Sequence, residues 1–442
     1  MDSWREPSRK LKIRTQVDVL VAGGGPAGVA SAVYAARNGA KTLLIERYGI
    51  VGGMATIGLM NPWSGEASGG FTGEILSKLG CDYPHHDNDP SNGINRRYDP
   101  ELAKQVMLET LMESGAQLML YTSVVDVIKE GNELTGVIIE SKAGREVILA
   151  KVFIDCTGDG DLAARAGVPF TKGRESDGKM QPITLMFRVG GVHEKAIEKF
   201  GFVEKVMVPA GDLNELAKRA VAEGDLLFPS GHVLLYKQPV STMVTCNMTN
   251  CIDADGLEPD DLTKAEIACR IQVPRILAFL RKYVPGYEDC HLIDTASMIG
   301  VRETRHIHGE YTLNEKDIMN QTVFEDRVVT KARFNFDVHN ISGAGEDKTY
   351  QYGNSTNFYT IPYRCFIPLQ IENLLISGRA ISGTHMAHSN YRVMVICMAM
   401  GQATGTAAAL CIRQKVKPRA LDVKLLQEKM QSQGVEIENL GI

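Results

Sequence analysis

The segment that most constrains this chain lies near its start. Residues 17–22 read Val-Asp-Val-Leu-Val-Ala, a short run of β-type residues, and Gly23-Gly24-Gly25-Pro26-Ala27-Gly28 follows at once. Small residues then recur at helical spacing as Ala30, Ala32, Ala35 and Ala36. The order predicts a strand, a tight turn and a helix. Gly23 permits the turn, Gly25 lets a pyrophosphate approach the backbone, and Gly28 lets helix and strand pack closely. The helix N-terminus meanwhile offers unpaired N–H groups to phosphates. Three spaced glycines alone are a weak signal. Here, however, the next apolar run, residues 41–45, ends in Glu46, about 20 residues beyond the glycines, where a carboxylate accepts from ribose hydroxyls. An acid at that place disfavours a 2′-phosphate, which points to FAD or NAD rather than NADP.

At 442 residues the chain has room for two or three domains of ~150 residues each. It carries 48 Lys and Arg against 53 Asp and Glu, a net charge of −5, which argues against a nucleic-acid partner. A composition of 44% hydrophobic and 23% charged residues, with mean hydropathy −0.11, is that of a globular protein. Glycine is in excess, 43 residues, as expected where backbone approaches a ligand in several places. The nine cysteines form no close-set framework, and the nearest pair, Cys246 and Cys251, is not Cys-x-x-Cys. They read as reduced thiols rather than disulfides or a zinc site. Residues 1–14 are charged throughout and show no apolar signal core, so a cytoplasmic location is expected. The one long apolar stretch, residues 393–412, contains Gly401, Gln402, Thr404, Gly405 and Thr406. It reads as a buried helix, and no membrane partner is expected.

Two further strands run into glycines. Residues 151–161 are Lys-Val-Phe-Ile-Asp-Cys-Thr157-Gly158-Asp159-Gly160-Asp161, and residues 373–379 are Asn-Leu-Leu-Ile-Ser-Gly378-Arg379. Together with Gly52-Gly53-Met54-Ala55-Thr56 and Ile381-Ser-Gly-Thr-His385-Met-Ala-His388, they make the chain resemble FAD-dependent oxidoreductases of the glutathione-reductase-like flavoprotein superfamily. It is more closely similar to a bacterial family of FAD-dependent oxidoreductases of unassigned reaction. The resemblance covers most of the chain. It implies FAD, held in a Rossmann-like α/β domain whose parallel sheet is flanked by helices and discontinuous in sequence. It also implies that the loop after Glu46, with Arg47, Gly53, Met54, Ala55 and Thr56, runs beside the flavin. Val125, Thr157, Gly158, Asp161, Gly378 and Arg379 join Gly23, Gly25, Pro26, Ala27, Gly28 and Glu46 as implied cofactor contacts. The superfamily usually has Gly-Asp where Gly378-Arg379 stands. Gly401, Gln402 and Ala403 open or cross a small-residue C-terminal helix. The resemblance implies a helix N-terminus aimed at the flavin N1–C2=O edge, and close helix packing is the plainer alternative. A distant similarity extends to fumarate reductase and succinate dehydrogenase flavoproteins, but their covalent flavin histidine has no match in residues 47–54, so noncovalent FAD is expected.

Between these motifs, residues 99–115 have helical spacing, residues 117–128 alternate as a strand, and Gly131-Asn132 turns into a strand at 134–140. The FAD domain is expected over 1–170 and 365–442. An inserted α+β substrate domain with a mixed sheet is expected over 171–364, with strands at 184–189, 233–236 and 243–248 and helices at 213–223 and 262–283.

Two clusters carry candidate chemistry. Gly300-Val-Arg302-Glu303-Thr304-Arg305-His306 packs two arginines, a glutamate and an imidazole into five positions. The arginines would clamp a carboxylate and His306 would move a proton; a structural corner with Glu303 paired to one arginine is the alternative. In the second cluster His385 and His388 would act as acid and base, and Arg392 would bind an anion. A metal is not expected, because no third ligand follows in sequence. His339 is a weaker candidate, and His85-His86 reads as a solvated loop. The expected function is hydride transfer between FAD and a small organic substrate, anionic or neutral. No second Gly-x-Gly-x-x-Gly marks an NAD(P)H domain, which leaves the electron partner and the oligomeric state open. An FAD-containing tRNA-modifying enzyme and a sensor or assembly subunit with structural flavin are the alternatives.

Overall fold

The computed structural model describes every residue except 1–3, 5, 82–94, 197–206, 240–241, 348–357 and 439–442. His85 and His86 lie outside the described residues. Five short strands build the central sheet: β1 (Val19–Ala22), β2 (Thr42–Ile45), β3 (Gln117–Met119), β4 (Val152–Asp155) and β5 (Leu374–Ile376). Their order is β5-β4-β1-β2-β3, all parallel, with Val19 facing Thr42 on one side and Val152 on the other. Strands β1, β2, β4 and β5 are buried along their whole length, which is why they read as continuous apolar runs rather than alternating ones. The mixed α/β architecture is the one the glycine motifs imply.

Helices α1 (Pro26–Arg37), α2 (Asp161–Ala166), α3 (His385–Tyr391) and α4 (Met394–Gln414) follow β1, β4 and β5 in the chain. Pro26 is the first residue of α1, where its missing N–H costs nothing. Helix α4 is buried from Met394 to Cys411. By length and composition it would suffice to cross a membrane, with a most apolar window of mean hydropathy 1.6, yet 94% of that window is inside the protein. It packs against α1 through two glycines. A Cβ on Gly401 would sit 2.2 Å from the Ala27 carbonyl oxygen, and one on Gly405 would sit 2.2 Å from that of Ser31.

That packing corrects one expectation. Gly401, Gln402 and Ala403 lie about two turns inside α4, whose N-cap is Val393, so their N–H groups are not at a helix N-terminus. Gln402 instead accepts a hydrogen bond from Phe71 N at 3.1 Å.

Beside the central sheet, strands Ser123–Glu130, Glu133–Ser141 and Gly144–Leu149 form an antiparallel meander, which Lys12–Gln16 extends by pairing parallel to the last of them. The single strand expected over 117–128 is interrupted at Tyr121, whose backbone is left-handed at φ 51° as the chain leaves the parallel sheet for the meander.

The inserted sheet consists of Leu235–Lys237, Val244–Cys246, Phe187–Gly190 and His291–Thr295 in that order. Every pairing in it is antiparallel, so it is not mixed. Helices Leu213–Glu223 and Pro259–Tyr283 cover it, and their apolar faces join Phe187, Val189 and Val244 in a separate core. The hydrophobic cores divide the chain elsewhere than at 171 and 364. Ile307, Leu313, Val329, Tyr359 and Ile361 pack into the core of the central sheet, while the separate core draws on residues from Phe187 to Cys290. All nine cysteines are free and buried.

Replacing Gly401 with leucine forces a side chain into the Ala27 backbone. We expect Gly401→Leu to lower stability by about 1–3 kcal/mol or to prevent folding, the cost of overpacking a close contact, as measured by the urea midpoint.

Candidate active site

The glycine turn, the end of β2, and the loops after β4 and β5 all meet at the carboxyl edge of the sheet, where open α/β folds bind ligands. Gly23 has φ +95°, and a Cβ there would lie 2.4 Å from the Cys156 carbonyl oxygen; one on Gly28 would lie 1.8 Å from that of Gly23. Gly25 differs, because a Cβ there would meet nothing within 4 Å. The crowded glycines serve backbone packing, and the open one faces free space at the N-terminus of α1. No side chain caps that helix, so its first N–H groups remain available to an anion.

Glu46 is buried, with Oε2 accepting from Gly24 N at 2.6 Å and Oε1 accepting from Tyr48 N at 2.9 Å. Its remaining lone pairs suit ribose hydroxyls. The loop that follows is tied to the glycine turn by Gly52 N donating to Gly24 O at 2.7 Å, and a Cβ on Gly53 would lie 3.1 Å from Gly25 Cα. Met54 and Ala55 sit in the same short 3₁₀ turn; Thr56 turns its hydroxyl inward to Val51 O at 2.8 Å. Arg47 is exposed and lies over the Tyr48 ring, 4.9 Å from its centroid. Val125 sits at a bulge in the meander, and its carbonyl accepts from Arg165 Nε at 2.9 Å.

The loop after β4 is organised by Asp155, which sequence reasoning missed. Its Oδ1 accepts from Thr157 Oγ1 at 2.7 Å and its Oδ2 from Ala163 N at 3.1 Å, while burial pushes its carboxyl up to about 6. Thr157 in turn accepts from Asp161 N at 2.9 Å. Asp159, also not singled out, joins this loop to two others. Its Oδ1 accepts from Arg379 Nη2 at 2.6 Å and Thr304 Oγ1 at 2.7 Å, and its carbonyl accepts from Arg305 Nη1 at 2.9 Å. The Arg379 guanidinium lies 3.1 Å from where a Gly158 Cβ would be, and a Gly378 Cβ would be 3.2 Å from Ala27 Cβ. Arg379 Nη1 is buried without a hydrogen-bond partner. The open Gly25, the uncapped α1 and this unused donor fit a dinucleotide in the cradle.

Next to the cradle is a buried polar centre. Glu303 is fully buried, and its Oε1 accepts from His306 Nε2 at 2.8 Å and His385 Nδ1 at 2.7 Å while its Oε2 accepts from Gln181 N at 3.0 Å. Strand pairing of Arg305–Ile307 with Phe170–Lys172 brings His306 here, and α3 brings His385, whose N donates to Glu175 Oε1 at 2.8 Å. Burial works to raise the Glu303 carboxyl, but the two imidazoles outweigh it and hold the group well below the usual range. Glu303 therefore pairs with histidines and not with an arginine. His388 stands edge-on to His306, ring centroids 4.8 Å apart. Burial, reinforced by His306 and Arg392, pushes His388 well below the normal imidazole range, so it is neutral. The Nδ1 atoms of His306 and His388 are buried without partners. Glu303, His306 and His388 each bring a ligand-type atom within 4.8 Å of the others, a grouping that does not include His385, the sequence neighbour of His388.

The arginines do not converge as expected. Arg305 Nη1 also donates to Asp161 Oδ1 at 2.9 Å, and its guanidinium lies 5.2 Å from the Phe170 ring centroid. Arg302 Nη1 donates to Pro182 O at 2.6 Å and Thr184 Oγ1 at 2.5 Å. They cannot clamp one carboxylate, because Asp161 claims one of them and a different segment claims the other. Arg392 Nη2 donates to Asp337 Oδ2 at 2.7 Å, and His339 Nε2 lies 3.2 Å from Asp337 Oδ1. Asp337 was not singled out; burial tends to raise its carboxyl, yet His339 and Arg392 hold it low, and burial with Arg302 pushes His339 down to about 4. A carboxylate three residues from one imidazole and 82 positions from another carries no sequence signal.

A parallel sheet with a nucleotide cradle and an adjoining Glu-His centre defines a dinucleotide-dependent enzyme. The chain belongs to the FAD dependent oxidoreductase family, whose model matches residues 18–430; FAD is its cofactor. It is 32% identical over 161 residues to a thiamine thiazole synthase of Methanococcus vannielii, covering 32% of this chain and 56% of that protein. It is 34% identical over 131 residues to one of Aeropyrum pernix, covering 29% and 46%. The chain thus spans about half the length of these curated relatives. A crystal structure of CabE, an aromatic hydroxylase from angucycline biosynthesis, shares the fold at TM-score 0.50 and 11% identity, covering 94% of this chain and 65% of that one.

His388 and His339 are lowered from 6.5 on folding, so the unfolded chain binds more protons below that pH and stability falls as pH drops from about 7 to 5. Asp155, raised from 3.8, acts in the opposite sense. In urea titrations at pH 7 and 5.5, His388→Gln should lose less stability than the parent over that interval.

Proposed function

We propose that the protein transfers a hydride between a small organic substrate and noncovalently bound FAD, with the Glu303 histidine centre handling the accompanying proton. FAD supplies the two-electron carrier. Gly25, the first N–H groups of α1, Glu46 and the unused Nη1 of Arg379 are the groups that would hold it.

The observation that supports the proton-handling reading is the double hydrogen bond to Glu303 Oε1. An ionised carboxylate only accepts, so His306 Nε2 and His385 Nδ1 are both donors in that arrangement. A proton leaving His306 at Nδ1, or His385 at Nε2, leaves behind an imidazole whose orientation Glu303 still holds. His388, neutral and without a partner on Nδ1, is a further acceptor in contact with His306. The centre is fully buried, which excludes competing water. The likeness to thiazole synthases covers 32% of this chain, a length that a shared nucleotide-binding half suffices to explain, and the polar centre is the better guide to chemistry.

Acid precipitation should release yellow FAD into the supernatant, and anaerobic photoreduction should bleach the bound flavin. Colour retained in the pellet would overturn noncovalent binding. Glu303→Gln should keep FAD but slow substrate-dependent flavin reduction by ~10²-fold or more, the usual scale for a disabled acid–base group, in stopped-flow experiments. Unchanged reduction would remove Glu303 from the mechanism and favour a structural centre.

A further inference from the structure

Arg302 is the one cation of this region left without a counter-ion among the described residues. Arg305 pairs with Asp161, Arg379 with Asp159 and Arg392 with Asp337. Arg302 gives Nη1 to two neutral acceptors, Pro182 O and Thr184 Oγ1, and its Nε and Nη2 make no hydrogen bond to the described residues. Asp337 lies close enough to favour its charge, but that carboxylate is already engaged by Arg392 and His339. Burial and Arg392 depress the Arg302 guanidinium to about 10, so it is still fully charged at neutral pH. Arg302 is half-buried, and a cation so placed that donates only to neutral groups keeps most of its charge available to an incoming anion.

Space for that anion adjoins it. Arg302 lines a small cavity of about 20 Å³ whose other walls include His232, Asn247, Asn250 and His339. Two further features define the ligand. The Nε–Nη2 edge of the guanidinium, free of hydrogen bonds to the described residues, matches the two oxygens of a carboxylate. In addition Asn250, held by Nδ2 donating to Gly343 O at 3.0 Å, leaves its Oδ1 buried without a partner. Such an acceptor calls for a ligand that brings a donor.

We propose that this cavity is the anchoring site for the substrate carboxylate, and that the substrate is a small organic acid bearing a hydroxyl or amino group next to that carboxylate. The carboxylate lies on Arg302 and the neighbouring donor on Asn250 Oδ1. The inference rests on the oxidoreductase reading above for the word substrate, but the site itself is defined by binding.

Calorimetric titration of the FAD-loaded protein with glycolate and acetate tests it. Glycolate should bind more tightly than acetate. Arg302→Gln should weaken both carboxylates by about 30-fold or more, as the loss of a charge-assisted bidentate pair implies, while Arg302→Lys retains part of the affinity. Asn250→Ala should erase the advantage of glycolate over acetate. The flavin-to-protein absorbance ratio of each variant reports that it has folded. Acetate binding as tightly as glycolate, or glycolate binding unaffected by Arg302→Gln, would overturn the site. Glycolate binding that needs Arg302, with no flavin reduction by any bound acid, would uphold the site and sink the hydride-transfer reading. Flavin reduction by a small acid that survives Arg302→Gln would do the reverse.

Discussion

The carboxyl edge of the sheet depends on backbone segments approaching more closely than any side chain would permit. Gly23 meets the Cys156 carbonyl, Gly28 meets Gly23, and Gly401 and Gly405 meet α1 at Ala27 and Ser31. These contacts set where α1 begins relative to β4 and β5, and so where its uncapped N-terminus, Glu46 and Arg379 stand with respect to one another. Close-packed interiors transmit displacement rather than absorb it. A shift in any of these contacts therefore moves the whole cradle.

Charge burial is the second organising constraint. Glu303, fully buried, and Asp337, half-buried, are both held ionised, each by one partner close in sequence and one from a distant segment. Breaking such an arrangement by removing one member is far costlier than its net contribution suggests, because the remaining charge loses its compensation. Asp159 does the same for the loops, collecting Arg379, Thr304 and Arg305 from two regions. The nucleotide cradle and the polar centre are in this way one electrostatic unit, joined also by Met54, whose Cε lies 3.2 Å from where a Gly300 Cβ would be.

Much of the cradle was legible in the sequence, because its elements are local. A strand, a turn and a helix are encoded within residues 17–37, and the acid at Glu46 follows at a distance set by the length of one helix. The continuous apolar runs of β1, β2, β4 and β5 announced a sheet buried on both faces. The inserted sheet was less legible. Its strands are three to five residues long, too short for a pattern to reveal pairing direction, and the assignment of 305–363 to the first core depends on contacts invisible in a linear reading. The small-residue stretch around Gly401 was legible as a helix, but whether a glycine opens a helix or lies inside it depends on where the preceding turn begins.

The sequence by itself determined the class of cofactor, since glycines at fixed spacing and an acid at the end of the next strand leave little else that backbone geometry and ribose chemistry would accept. It also selected the residues rich enough in charge to matter, among them Arg302, Glu303, His306, His385, His388 and Arg392. Only the tertiary structure decided how they pair. Which cation meets which carboxylate depends on distances between segments up to 220 residues apart, and Coulomb and hydrogen-bond energies act through space, with no regard for position along the chain. For that reason Glu303 joins two histidines instead of an arginine, and Arg302, unlike Arg305, Arg379 and Arg392, has no carboxylate partner among the described residues.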